Sequence, residues 1–142
     1  MFAQLDTKSV YSFMDSVVDL NSYVARAKEL GYQALGLMDR DNLYAAYHFA
    51  QLASRNGLRP LIGMEANLFY EGRKIPFRLL AKNNQGYKNL MKLATELSSG
   101  QREFTAFSDY LNDIALILPS EDWEPGMTLG SEVFIGVRPE DA

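Results

Sequence analysis

An apolar run that ends on charge sets the frame for this chain. Residues 34–38, ALGLM, have the length and continuity of a strand buried on both faces, and the next four, Asp39, Arg40, Asp41 and Asn42, are all polar. Leu43 opens a helical pattern that runs to about Arg55 and stops at Asn56 and Gly57. The polar quartet therefore falls at a strand-to-helix corner. Parallel sheets are buried on both faces and displace ligand-meeting side chains to loops at the strands' carboxyl ends, so this corner is the first candidate site. Taken alone, the same quartet also suits a plain helix start, because Asp41 and Asn42 are good caps.

The frame repeats along the chain. Residues 2–5 read as a first short strand and residues 6–15 as a polar and aromatic loop. Leu20, Tyr23, Val24, Ala27 and Leu30 then recur at helical spacing, with Asp19 or Asn21 as cap and Gly31 as stop. A βαβα order with short connections predicts an α/β fold with mostly parallel strands and outer helices. Pro60 opens a longer extended segment, interrupted by Glu65, which as a lone carboxylate is either an edge residue facing water or a buried group in need of a partner. A polar turn at residues 71–74 and a strand at 75–81 give a hairpin-like pair. Asn83 or Asn84 caps a third helix with Tyr87, Leu90, Met91, Leu93, Ala94 and Leu97 as its buried stripe. A short helix at 104–111, a strand at 114–118, an irregular stretch at 121–130 anchored by Trp123, and a last strand at 133–137 complete the reading. A parallel strand so placed calls for a covering helix, so the chain is expected to be cut from a longer one.

Charge and composition exclude several classes. Fourteen Lys plus Arg against eighteen Asp plus Glu give a net charge of −4, which offers no pull toward phosphate backbones, so direct nucleic-acid binding by this piece is not expected. Without cysteine there is neither disulfide nor thiolate metal site. No run reaches membrane-spanning length and no signal or transit pattern is present, so a cytoplasmic location without membrane contact is expected. His48, between Tyr47 and Phe49 in the second helix, reads as a packed or half-exposed side chain rather than a base. Tyr44, Tyr47, Phe49, Phe69, Tyr70 and Phe77 read as core or interdomain surface. Arg73, Lys74, Arg78 and Lys82 read as a solvated hairpin, and Tyr11 and Ser12 as loop packing.

Three stretches in register resemble the PHP (polymerase and histidinol phosphatase) family, in the form that bacterial replicative DNA polymerases carry at their amino terminus. Residues 2–16, FAQLDTKSVYSFMDS, follow an F-x-H-L-x-x-H-x-x-Y-S-x-x-D opening; residues 34–43, ALGLMDRDNL, follow A-L-A-I-T-D-H-x-N-L; residues 59–68, RPLIGMEANL, follow K-P-I-I-G-x-E. Residues 79–95 also resemble the polymerase version. The resemblance implies a partial, distorted TIM-like barrel. In metal-binding members it implies ligands at positions that here hold Asp6, Lys8, Asp15, Arg40 and Glu65. Imidazole offers a lone pair to a metal, whereas ammonium and guanidinium offer only hydrogens and positive charge. We therefore expect Lys8 and Arg40 to stand in for the metal among Asp6, Asp15, Asp39 and Glu65, each opposite charge about 4 Å away being worth roughly 4 kcal/mol at an effective dielectric near 20.

That reading gives a degenerate site with no catalytic residue and no metal; the only conceivable ligands are Asp6, Asp15 and Glu65. The resemblance further implies a parent DNA-directed DNA polymerase whose Mg-dependent chemistry lies outside residues 1–142. This piece is then a scaffold for the remaining polymerase domains in cis and a docking surface for other replisome proteins. The alternatives are a metal-dependent phosphoesterase or 3′–5′ proofreading exonuclease using Asp6, Asp15 and Glu65, and a stand-alone interaction domain.

Overall fold

Asp19 accepts a hydrogen bond from the Asn21 N–H and opens the first helix, α1 (Leu20–Glu29). From there the computed structural model, which describes residues 4–9, 19–130 and 132–136, continues through β1 (Ala34–Arg40), α2 (Ala46–Arg55), β2 (Arg59–Tyr70) and β3 (Arg73–Ala81). The order is completed by α3 (Asn84–Ser98), a 3-10 helix (Phe104–Tyr110), β4 (Ile114–Pro119), a 3-10 turn (Ser120–Asp122) and β5 (Glu132–Gly136). The strands form one five-stranded sheet in the order β1-β2-β3-β4-β5, which does not close. The chain divides into two compact units, Met1–Met64 and Glu65–Ala142.

In the first unit β1 is buried from Ala34 through Asp39. Leu35 and Leu37 pack into a core with Val24 and Ala27 of α1 and Phe49 and Ala53 of α2. The Tyr23 and Phe49 rings stack with centroids 6.1 Å apart. The Arg59 N–H donates to the Gln33 carbonyl at 2.9 Å, so β2 starts level with the start of β1 and the two run in the same direction. Residues 4–9 lie along β1, where Gly36 donates to the Gln4 carbonyl at 2.6 Å and Met38 to the Thr7 carbonyl at 2.7 Å. Gly36 permits this approach, since a Cβ there would stand 2.7 Å from the Gln4 oxygen and the Leu5 Cα. Of the first predicted strand, residues 2 and 3 fall outside the described residues, and Gln4 and Leu5 follow β1 as irregular chain.

In the second unit a two-residue turn joins β2 to β3. Glu71 and Gly72 both take positive φ, 49° and 79°, the signature of a type I′ hairpin whose twist matches that of the strands. Ile75, Phe77 and Leu79 are buried on one face of β3, and Phe77 stacks on Phe104 at 5.0 Å. Asn83 caps α3 by accepting from the Gly86 N–H at 3.0 Å. β3 pairs antiparallel with β4, and β4 pairs parallel with β5.

Five expectations change. Asp39 and Arg40 belong to β1 rather than to a corner, and α2 begins at Ala46, not Leu43. Asp41 takes a left-handed φ of 60° and Asn42 clasps the turn, accepting from the Tyr44 N–H at 3.1 Å and donating to the Arg40 carbonyl at 2.9 Å. Neither caps α2, whose N-cap Ala45 makes no side-chain hydrogen bond. Met91 is exposed, and buried Asn89 takes its place in the α3 stripe by donating to the Asn112 carbonyl at 2.8 Å. Trp123 is 43% exposed and does not anchor the loop; Leu129 is the buried side chain there.

Candidate functional site

The amino-terminal unit holds a buried carboxylate at the end of its strand. Asp39 is 2% exposed, and both of its oxygens are engaged at 2.6 Å, Oδ1 by the Ser9 N–H and Oδ2 by the Ser9 hydroxyl. Hydrogen bonds to an ionised acceptor are short and strong, which offsets the desolvation of the carboxylate. Ser9 is itself 1% exposed. The chain is brought there by the backbone bonds of residues 4–9 to β1, and so ultimately by the missing side chain of Gly36.

Lys8, on the same stretch, places Nζ 2.7 Å from Asp6 Oδ1. Its side chain is 13% exposed against 38% for Asp6, so the ammonium is the more sheltered partner. Arg40 ends β1 on the exposed side, and Asp15 lies outside the described residues, as do Tyr11 and Ser12. Beneath this stretch the Tyr23 hydroxyl donates to the Gly36 carbonyl at 2.6 Å. Burial pushes its pKa up to about 12, more than a hydrogen bond with the Thr7 side chain lowers it.

In the carboxyl-terminal unit Glu65 is buried, 5% exposed, and Arg78 places a guanidinium nitrogen 3.4 Å from its Oε1. The hairpin sets this pair. With a two-residue turn, Tyr70 stands opposite Arg73, and counting back along both strands puts Glu65 opposite Arg78 on the face away from Phe77. Arg78 is thus no solvated hairpin residue. Arg73 likewise pairs with Asp122 at 3.9 Å and Glu124 at 3.8 Å, and Lys82 with Glu132 at 2.9 Å.

Sequence reasoning missed Ser9 and Arg78. Ser9 leaves no signal beyond its place next to Lys8, but Arg78 was accessible from the turn length, which fixes the register.

The described acids are satisfied by protein hydrogens and side-chain cations, and among the described residues no three of His, Cys, Asp or Glu are grouped to hold a metal. What the arrangement does chemically is neutralise buried carboxylates and tie neighbouring backbone segments together.

A mixed α/β fold with a buried acid, Asp39, near the end of β1 is the frame in which the PHP domain profile matches residues 4–124; the chain belongs to the PHP domain family. Within it the chain is 47% identical over 137 residues to DNA polymerase III subunit alpha of Streptococcus pyogenes serotype M1, covering 96% of this chain and 13% of that protein. The Bacillus subtilis (strain 168) subunit is 33% identical over 126 residues, covering 84% of this chain and 11% of its own length. The matched region is the amino-terminal part of that subunit. Among solved structures, a candidate metal-dependent phosphoesterase from Bifidobacterium adolescentis aligns with a TM-score of 0.54 at 16% identity over 66% of this chain and 32% of that one. An amidohydrolase from Chromobacterium violaceum, with bound sulfate and no metal, aligns with a TM-score of 0.50 at 18% identity over 78% of this chain and 49% of that one. These two likenesses bear on the fold. Among the described residues no helix is long and apolar enough to cross a membrane.

Proposed function

We propose that this chain is the N-terminal PHP module of a bacterial replicative DNA polymerase, the DNA polymerase III alpha subunit. It serves there as a structural and docking scaffold, in the cytoplasm, with Mg-dependent nucleotidyl transfer residing in other domains of the parent. Its strands form the opening part of a distorted TIM-like barrel. Asp6, Lys8, Asp15, Asp39, Arg40 and Glu65 stand at the sequence positions of a degenerate metal site, and in it the Lys8–Asp6 pair takes the place of a bound ion. One observation carries this reading: the Lys8 ammonium sits 2.7 Å from Asp6, where a charged amine competes with any cation for the same oxygen. Its partners are the remaining polymerase domains in cis and other replisome proteins.

The experiment is metal analysis of protein purified without chelator, with hydrolysis of bis(4-nitrophenyl) phosphate assayed in added Mn. Sub-stoichiometric metal and no turnover are expected. The fold likeness to a candidate phosphoesterase favours a second reading, a metal-dependent phosphoesterase or 3′–5′ exonuclease using Asp6, Asp15 and Glu65. Stoichiometric metal with hydrolysis lost in Glu65→Ala would establish that reading instead.

A further inference from the structure

The tip of the β2–β3 hairpin and the loop that follows the 3-10 turn at Ser120–Asp122 enclose an open cleft of about 260 Å³. Two cross-links hold its walls. Arg73 Nη2 donates to the Asp122 carbonyl at 2.8 Å, and the Thr128 N–H donates to the Tyr70 hydroxyl at 2.9 Å. The Tyr70 ring is fixed in turn by an edge contact with Phe104, their centroids 5.6 Å apart. Walls set before a ligand arrives spare that ligand part of the ordering cost. Charge then narrows what fits. Glu71 and Glu124 line the cleft with Arg73, and Asp122 stands beside them. Arg73 Nη1 stays 3.8 Å from Glu124 and 3.9 Å from Asp122, too far for a hydrogen bond, so both carboxylates keep accepting capacity. Three carboxylates face one guanidinium, and Lys74, next on β3, does not line the cleft. The rim is therefore net negative and repels an anion. Its apolar surface comes from Tyr70, Pro125 and Met127, and Trp123, next to Glu124 in the chain, is 43% exposed. Tyr, Trp, Met and Arg are the residue types that protein interfaces gather.

We infer that this cleft docks a partner protein by taking an arginine side chain of an exposed segment, its head between Glu71 and Glu124 and its stem along Tyr70, Pro125 and Met127. Arginine is favoured over lysine because a planar guanidinium meets carboxylates through several hydrogens and also stacks on an aromatic ring. A small polyamine would satisfy the charge but leave the apolar wall uncovered, so the mixed lining selects a protein side chain. The inference rests on the docking role proposed above, for which it supplies a surface and a partner chemistry.

The test is titration of residues 1–142 with the peptide acetyl-GARAG-amide, followed in proton–nitrogen correlation spectra, against the same peptide with citrulline in place of arginine and against spermidine. Saturable shifts at residues 70–73 and 122–128, with a dissociation constant of about 1 mM or tighter, are expected for the arginine peptide. Citrulline, which keeps the shape and loses the charge, and spermidine should each bind about tenfold more weakly. Glu124→Gln and Glu71→Asn should each weaken the arginine peptide about threefold and together about tenfold, because exposed ion pairs are individually small. Neither substitution should lower the unfolding midpoint, since Glu124 is exposed and Asn suits the turn. Arginine and citrulline peptides binding alike, spermidine binding as tightly as the peptide, shifts elsewhere in the chain, or a double variant that binds unchanged would each overturn the cleft. Stoichiometric metal and phosphodiester hydrolysis alongside charge-dependent peptide binding would keep the cleft and remove the scaffold reading; metal-free, inactive protein that ignores the peptide does the reverse.

Discussion

Ser9 and Asp39 set the energetics of the strand end, because each is buried and each depends on the other. Removing the Ser9 hydroxyl leaves Asp39 Oδ2 short of a donor it uses at 2.6 Å. We expect Ser9→Ala to cost about 1–3 kcal/mol in urea unfolding, the range for an under-satisfied buried acceptor. Asp39→Asn should cost less than Asp39→Ala, because the amide oxygen still accepts one of the Ser9 hydrogens. Tyr23 gives a separate handle on the same region. Its folded pKa, about 12, lies above the ordinary tyrosine value of about 10, so the native chain holds the phenolic proton more tightly than the unfolded one. The associated stability is fully present below pH about 10 and is lost as pH rises toward 12. Tyr23→Phe should flatten that alkaline loss, and a difference titration at 295 nm should lack one late-titrating tyrosine. An unchanged alkaline slope in the variant would show that another group is responsible.

At the scale of elements, the β2–β3 hairpin ties local turn chemistry to the position of Glu65. Glu71 occupies a left-handed position that Asn or Gly enters more easily, so Glu71→Asn should stabilise by about 0.5–1 kcal/mol. The turn fixes the register, so it also fixes the Glu65–Arg78 pair. Arg78→Ala leaves a 5%-exposed carboxylate facing no guanidinium on β3 and should cost more than the double variant Glu65→Gln/Arg78→Ala. The expected coupling in the double-mutant cycle is about 1–3 kcal/mol, and additive effects would remove the pair from the account.

These elements also mark what the sequence made legible. α1 and α3 were readable because Asp19 and Asn83 supply caps and the apolar spacing is regular. The start of α2 was not, because good capping residues were assumed to cap. Asp41 instead turns left-handed and Asn42 spends both of its amide atoms on the turn. At the candidate site the positions of the acids came from the family resemblance, and Lys8 as the partner of Asp6 followed from charge. The Ser9 clasp on Asp39 depends on a tertiary approach that Gly36 permits, and a single residue type does not announce it.

At the scale of the whole molecule, charge decides what the chain leaves to others. The net charge is −4, and the hairpin that gathers Arg73, Arg78 and Lys82 places each near a carboxylate of the same unit. Basic residues so paired have little counterion-release free energy left to offer a phosphate backbone, because neutralising a phosphate requires breaking an existing ion pair first. Residues 1–142 should therefore bind a fluorescein-labelled single strand more weakly than about 100 μM at 50 mM salt, at the edge of ordinary non-specific affinity. Anisotropy measures this directly, and the salt dependence adds a second reading. Micromolar binding with a steep loss on raising salt would mean that a basic surface operates despite these pairs. Arg78→Ala, which removes one such cation, would then weaken binding where Phe134→Lys would strengthen it.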